Sequence, residues 1–199
     1  MTEEELIQGC LRHERNSQRL LYEDYFTKMM SVSLRYAKNI REAKEILHTA
    51  FKNIFSQFRN FIELNEKRKI DSPLVSLEEW IKRSVIEAAI QQMHNNKREY
   101  FVSSTVSVRD AERSSGSSAE ISDEQVISSV NKDWVVKALQ QLSPSYRAVF
   151  NLHEVDGYTH EDICKLLDIS ESTSRDNLSK AKFNIRKNLT RMIPRSNQH

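Results

Sequence analysis

Apolar residues in the N-terminal half of the chain recur at the spacing of amphipathic helices and form two stripes. The first stripe consists of Leu21, Tyr25, Met29, Val32 and Tyr36, and the second of Ile46, Leu47, Ala50, Phe51, Ile54, Phe55, Phe58 and Phe61. Each stripe predicts one helix with a single buried face. We expect the two helices to pack against each other as a hairpin.

A third amphipathic helix is predicted from Leu77 to about Arg98, after the polar stretch 63–76. Its apolar face carries Trp80, Ile81, Val85, Ala89 and Met93. Its opposite face carries a polar ridge made of Arg83, Glu87, Gln91, His94 and Arg98. Such a ridge can lie along a nucleic-acid strand, but an ordinary solvated surface has the same spacing, so the pattern leaves both interpretations open.

A serine-rich segment separates this part of the chain from the rest. Ten of the 28 residues from Ser103 to Val130 are serine, and five acidic residues outnumber two arginines. A segment of this composition cannot build a packed core. It predicts a flexible linker between two folded domains.

The C-terminal part predicts a four-helix unit. One helix covers about Trp134 to Leu142, and a second starts at the Ser143-Pro144 pair, runs to Val155 and ends at Asp156-Gly157. Two short helices follow within 158–186, joined by the three-residue turn 168–170. This last pair has the form of a DNA-reading helix-turn-helix.

The helix-turn-helix has its own start signals and its own stripe. Thr159 and Ser170 are predicted N-caps, and Asp162 completes a weak capping box with Thr159. The apolar positions of the two helices are Ile163, Leu166 and Leu167 in the first and Leu178, Ala181, Ile185 and Leu189 in the second. With only three glycines and three prolines in 199 residues, the whole chain is predicted to be all-α, with two small helical domains on a flexible linker.

Charge is sorted along the chain rather than abundant. The net charge is only +2, which is too small for coating nucleic acid by bulk electrostatics. Between Arg175 and Arg195, however, seven basic residues stand against the single acid Asp176. This end can neutralise phosphates while Ser172, Thr173 and Arg175 approach base edges, although a solvated helix face remains the alternative.

Nothing in the sequence has the form of a catalytic site. Glu45 and His48 have the spacing of a di-iron ligand pair, but no second copy exists, and His153-Glu154 and His160-Glu161 lack the later histidine of a zinc-protease helix. We therefore predict no enzyme, no catalytic residues, no cofactor and no metal. Two cysteines far apart, and no apolar run of membrane-spanning length, predict a cytoplasmic protein without membrane insertion.

Residues 142–187 (LSPSYRAVFNLHEVDGYTHEDICKLLDISESTSRDNLSKAKFNIRK) closely resemble region 4 of bacterial RNA polymerase sigma-70 family sigma factors. Residues 78–99 (EEWIKRSVIEAAIQQMHNNKRE) resemble the promoter-melting helix of region 2, and 41–55 (REAKEILHTAFKNIF) the helix that docks on the polymerase. Both modules in this order, with a short acidic linker, resemble the extracytoplasmic function (ECF) subfamily. The resemblance implies four parts: a region 2-like domain at 1–100, a linker at 101–131, a region 4-like domain at 132–192 and a tail at 193–199.

The resemblance also implies functional residues and partners. It assigns contacts with the minus-35 promoter element to Ser172, Thr173, Arg175, Asp176, Ser179 and Lys180. It assigns contacts with the minus-10 element to Arg83, Glu87, Gln91, His94, Lys97 and Arg98, and core polymerase binding to Glu42, Lys44, Glu45, His48 and Lys52. The loop 63–76 would receive an unstacked base of the melted non-template strand. The implied partners are core RNA polymerase, promoter DNA and the anti-sigma protein that often restrains such factors.

Several positions depart from the family pattern. Glu87 and Gln91 replace a usual asparagine and aspartate, and Asn177 replaces a common arginine, so the promoter sequence is not predictable. Lys44 and His48 replace an acid and a glutamine on the docking helix.

Two further departures concern the helix-turn-helix itself. Asp168 replaces the frequent turn glycine, and Ser174 replaces an apolar core residue and should loosen the recognition helix slightly. The alternative function is a helix-turn-helix regulator that binds duplex DNA and is not a polymerase subunit.

Overall fold

The computed structural model describes residues 2–67, 75–95 and 131–192. These residues form helices and short connections without a strand, so the all-α prediction is confirmed for them. The predicted linker, apart from residue 131, and the predicted tail 193–199 lie outside the described residues. The chain divides into two compact units, Met1–Gln92 and Met93–His199, and each is described by itself.

The first unit is built from five helices in its described part: α1 (Glu3–Leu11), α2 (Arg15–Tyr36), α3 (Ile40–Ser56), α4 (Phe58–Glu66) and α5 (Leu77–Asn95), the last of which lies mostly in this unit. Helices α2 and α3 pack against each other, so the predicted hairpin is confirmed. The sequence analysis missed α1, which packs on α2. Its N-cap Thr2 and Glu5 form a full capping box, a signal that the sequence does contain.

The second apolar stripe belongs to two helices rather than one, which corrects the prediction of a single helix to Phe61. The backbone breaks at Gln57, with φ −112° and ψ 16°, and α4 starts directly after it. The break turns Phe58 and Phe61 toward Trp80 of α5, with ring centroids 5.4 and 5.2 Å from the indole. Aromatic packing of this kind stabilises the bend, although no glycine or proline marks it in the sequence.

Helix α5 contributes Ile81 and Val85 to the core, and both side chains are fully buried. Its start is tied to α4 by the Asn65 amide, which donates to the Val75 carbonyl and accepts from the Val75 N–H at 3.1 and 2.9 Å. The predicted end of this helix at Arg98 lies outside the described residues.

The second unit contains α6 (Lys132–Gln140), α7 (Pro144–Phe150) with a π-helical turn (Asn151–Val155), α8 (His160–Leu167) and α9 (Glu171–Met192). Helix α9 packs against α6, α7 and α8, and its Ala181 is buried with Leu139 and Leu142. Ser143 caps α7, with proline at the following position, as predicted. The described part of this unit confirms the four-helix unit that ends in a helix-turn-helix.

The segment 151–155 is a π-helical turn and not the α-helical end that the sequence predicts. The Asn151 amide donates to the Arg147 carbonyl at 2.8 Å, and the Asp156 N–H reaches back to the Asn151 carbonyl at 2.9 Å. The bond between Asp156 and Asn151 spans five residues, which is the spacing of a π-helix. The widened turn ends at Gly157, whose φ of +77° suits glycine.

Candidate nucleic-acid interface

The helix-turn-helix is held by local hydrogen bonds that the sequence predicts. Thr159 and Asp162 form the capping box of α8, and the hydrogen bonds from Thr159 lower the pKa of the Asp162 carboxyl. The Ser170 hydroxyl accepts from the Thr173 N–H at 3.1 Å at the start of α9. Asp168 ends α8 in the left-handed conformation, with φ 55° and ψ 51°, as expected for a residue in place of the turn glycine.

The start of α9 separates a buried side from an exposed side. Ser174, Leu178 and Ala181 are buried, and this fixes the rotation of the helix. All six residues predicted to contact the minus-35 element lie on the exposed side: Ser172, Thr173, Arg175, Asp176, Ser179 and Lys180. The fold therefore brings these residues together on one accessible surface, which we call the recognition face.

Arg175 is oriented along the recognition face by Glu171, one turn earlier. The Arg175 Nε donates to the Glu171 Oε1 at 3.1 Å, and Nη2 donates to the same oxygen. Both side chains are mostly exposed, and exposed ion pairs of this spacing contribute little to stability. When Arg175 binds a base edge, its ion pair with Glu171 can therefore break, or Arg175 can keep it while binding the base, at a small cost in free energy.

Basic residues continue along α9 beyond the recognition face. Lys182, Arg186, Lys187 and Arg191 lie in the second half of the helix, and Arg195 lies outside the described residues. Lys182 binds the Glu154 carboxylate at 3.0 Å and, with His153, lowers the pKa of that carboxyl. This half of α9 can contribute phosphate attraction without reading bases.

Two histidines meet behind the recognition face, which the sequence analysis did not foresee. The rings of His153 and His160 stack with centroids 4.5 Å apart, and His160 Nδ1 lies 2.9 Å from the Ser174 Oγ. Ser174 has 0% exposure, so this bond satisfies the polar atom that was expected to loosen the helix. No pattern in the sequence connects these positions, since they lie on three different elements.

The polar ridge of α5 is only partly described. Arg83, Glu87 and Gln91 are exposed and His94 is half-buried, whereas Lys97 and Arg98 lie outside the described residues. Arg83 pairs with Glu79, and partial burial raises the pKa of Glu87 against the opposing effect of Arg83. The described part of the ridge is thus mixed in charge and not basic.

The predicted docking residues on α3 divide into exposed and buried ones. Lys44, Glu45, His48 and Lys52 are exposed, but Glu42 is only 7% exposed and its carboxylate accepts from the Lys38 N–H at 2.6 Å. Glu42 thus supports the start of α3 and has little surface for a partner. Sequence reasoning missed Ile40, which is 60% exposed at the start of the same helix, one turn before Lys44.

We searched residues 2–67, 75–95 and 131–192 for a metal site, a membrane-spanning helix and a reactive cysteine. These residues contain no group of three or more side chains that could hold a metal ion. Among the described helices, none combines the length and apolarity that crossing a bilayer requires. Cys10 is buried, and this burial together with Glu14 raises its pKa to about 11, so it is an unreactive core thiol.

The geometry of the second unit defines a helix-turn-helix DNA-binding domain. Residues 132–182, about a quarter of the chain, match the family model of sigma-70 region 4. The resemblance to the sigma-70 family is confirmed by this match for residues 132–182 of the second unit.

The solved structures that are similar to the chain include the sigma factor RpoE of Bartonella quintana, determined in complex with the anti-sigma factor NepR. That protein shares 15% sequence identity over 89% of this chain and 98% of its own, with a TM-score of 0.48. No curated protein matches the chain.

The left-handed residue in the turn makes a direct prediction. Asp168→Val should lower the free energy of unfolding by about 1–2 kcal/mol, because a β-branched residue tolerates this conformation poorly. Asp168→Gly is the matched control and should unfold at least as late as the parent chain. Chemical denaturation of both variants measures the difference, and equal losses would show that the carboxylate matters rather than the backbone.

Proposed function

We propose that this protein is an ECF-type sigma factor. It binds core RNA polymerase, recognises the minus-35 and minus-10 promoter elements and promotes DNA melting at the start of transcription. The observation that carries the proposal is the recognition face of a region 4 domain, rigidly backed by a buried stripe. The first unit precedes the region 4 domain in the chain and carries the polar surfaces of α3 and α5. This is the order in which regions 2 and 4 occur in the family.

Recognition of the minus-35 element falls to the first turns of α9. An exposed helix end of this kind enters the major groove, where Arg175 can donate two hydrogen bonds to a guanine. Ser172, Thr173 and Ser179 supply short donors and acceptors for bases or phosphates, and Lys180 supplies phosphate charge. Asp176 is the single acid on this face that can accept from a cytosine amine.

Binding to the polymerase falls to an exposed face of α3. Ile40, Lys44, His48 and Lys52 recur every four residues and so form one ridge, with Glu45 beside it. An apolar side chain with surrounding charges is the usual composition of a protein-binding surface. Ile40 joins the proposed docking surface, and Glu42 is left out because its carboxylate is buried.

Promoter opening falls to the polar ridge of α5 and the loop before it. Contacts made only with separated strands shift the duplex equilibrium toward opening, so no catalytic group is required. Arg83, Gln91 and His94 can bind the non-template strand, with Lys97 and Arg98 completing the set. The factor would act in the cytoplasm with the polymerase, and an anti-sigma protein is the partner expected to restrain it.

A helix-turn-helix regulator is the second candidate, because the region 4 match covers only residues 132–182. Such a protein would bind duplex DNA through the second unit and use the first unit for signalling or dimerisation. The two candidates differ in whether the first unit binds polymerase.

Run-off transcription with the full chain, core RNA polymerase from its own source and genomic DNA tests the proposal. New transcript starts that share two upstream elements would establish a sigma factor. Specific duplex binding without any starts would favour the regulator. Core polymerase alone is the control for background starts.

Replacing the main base-reading residue should weaken DNA binding and leave polymerase binding unchanged. Arg175→Ala should weaken promoter-specific binding by about 1–3 kcal/mol, because a bidentate guanine contact is lost. Arg19→Ala is the matched control, since Arg19 forms the same exposed pair with a glutamate one turn away, on α2. Fluorescence anisotropy with promoter duplex and with core polymerase measures both effects, and an equal loss of polymerase affinity would contradict this division of roles.

Reversing one charge on the docking surface should weaken polymerase binding and leave DNA binding unchanged. Glu45→Lys should weaken assembly with core polymerase by at least about 1 kcal/mol, because a partner cation then meets a like charge. Glu23→Lys is the matched control, because Glu23 and Glu45 both pair with an arginine one turn earlier. Assembly is measured by size-exclusion binding, and unchanged assembly would remove Glu45 from the docking surface.

A further inference from the structure

We propose that His160 is a positioning residue for Arg175, acts through Ser174, and must be neutral for tight binding of the minus-35 duplex. The inference rests on the proposed role of the recognition face. It adds a residue that lies behind that face and outside the family-derived contacts.

The first step is the direction of the hydrogen bond between the two helices. Ser174 Oγ is fully buried, and His160 Nδ1, at 2.9 Å, is its hydrogen-bond partner among the described residues. The buried hydroxyl therefore donates its proton to Nδ1, because an unpaired buried hydroxyl hydrogen is costly. His160 is then the neutral tautomer with its proton on Nε2.

The second step is the position of this bond. His160 begins α8, and Ser174 lies in the first turn of α9, directly before Arg175. A directional bond at this point fixes the rotation of the first turn of α9 relative to α8. The ion pair of Arg175 with Glu171 lies within α9 and is exposed, so it cannot hold the first turn of α9 against α8.

The third step concerns the charged groups around His160. His153 stacks on His160 from the π-helical turn. A carboxylate oxygen of Glu154 lies 3.0 Å from both His153 Nδ1 and Lys182 Nζ. Arg175 and Glu171 face it from α9, and Glu161 and Asp162 follow it in α8. Burial, His153 and Arg175 lower the pKa of His160, and the glutamates only partly oppose them.

Protonation would therefore disturb the turn. A proton on Nδ1 turns the bond around and leaves the Ser174 hydroxyl hydrogen without an acceptor. Because the folded pKa is depressed, the arrangement is intact above about pH 6.5, the ordinary value, and is lost as the pH falls through the folded value. A simple attraction between a histidine cation and phosphates would have the opposite pH dependence.

The experiment uses the full chain and a duplex that it selects at about pH 7.5 from a pool of random-sequence duplexes. Anisotropy is measured from about pH 7.5 to about pH 5.5 at fixed ionic strength, and we expect the parent chain to bind about three- to fivefold more weakly at the acidic end, since a pKa below the ordinary value leaves part of His160 neutral there. His160→Asn places an acceptor oxygen where Nδ1 lies and does not titrate, so its affinity should change less than about 1.5-fold over this range. His160→Ala should bind weakly throughout.

Two further variants make the test specific. Ser174→Ala removes the hydroxyl and should flatten the pH profile, whereas His13→Asn, at an exposed left-handed position between α1 and α2, should keep the parent profile. The proposal is overturned if His160→Asn or Ser174→Ala retains the parent slope, or if the parent binds more tightly in acid. A parent chain that selects no duplex would instead overturn the proposed function and this inference with it.

Discussion

The buried stripe of α9 is the interaction on which the second unit depends. Leu178, Ala181 and Leu189 are buried, and the half-buried Ile185 packs between the clusters formed with α6 and α7. A helix with 22 residues is about 33 Å long, so one rigid element carries both the core and the recognition face. Burial on one side determines which side chains point outward. Arg175 is exposed because Ser174 and Leu178 are not.

Electrostatics add orientation to this framework and little stability. Most ion pairs of the described residues lie on the surface at the spacing of one helical turn, and such pairs are individually weak. Their effect is to hold long side chains in a defined arrangement before a partner arrives. Glu171 does this for Arg175, and Glu154 does it for Lys182 and His153 together. With a net charge of only +2, the chain depends on such local arrangement and not on its total charge.

The sequence predicts the parts of the fold that depend on local chemistry. Caps at Thr159, Ser143 and Ser170, the left-handed residue Asp168 and the stripe of α9 all follow from rules that act over a few residues. The prediction missed the break at Gln57, where Phe58 packs against Trp80 of a distant helix, and it missed the π-helical turn, which no local pattern marks. The burial of Glu42 and the contact between His160 and Ser174 depend on how neighbouring helices meet. Periodicity contains no information about such contacts.

The hydrogen bond between Ser174 and His160 restricts the orientation of α9 in a way that an apolar contact would not. Leucine or valine in the place of Ser174 would pack against α8 through contacts without direction, which tolerate small rotations of a helix. A hydroxyl that donates to one ring nitrogen restricts both distance and angle. It contributes less to stability than apolar packing would, since its net free energy is about 0.5–1.5 kcal/mol. A rotation of α9 moves the guanidinium of Arg175 further than it moves the backbone, because the side chain is long. Directional contacts close to Arg175 therefore matter more for base reading than additional buried area elsewhere.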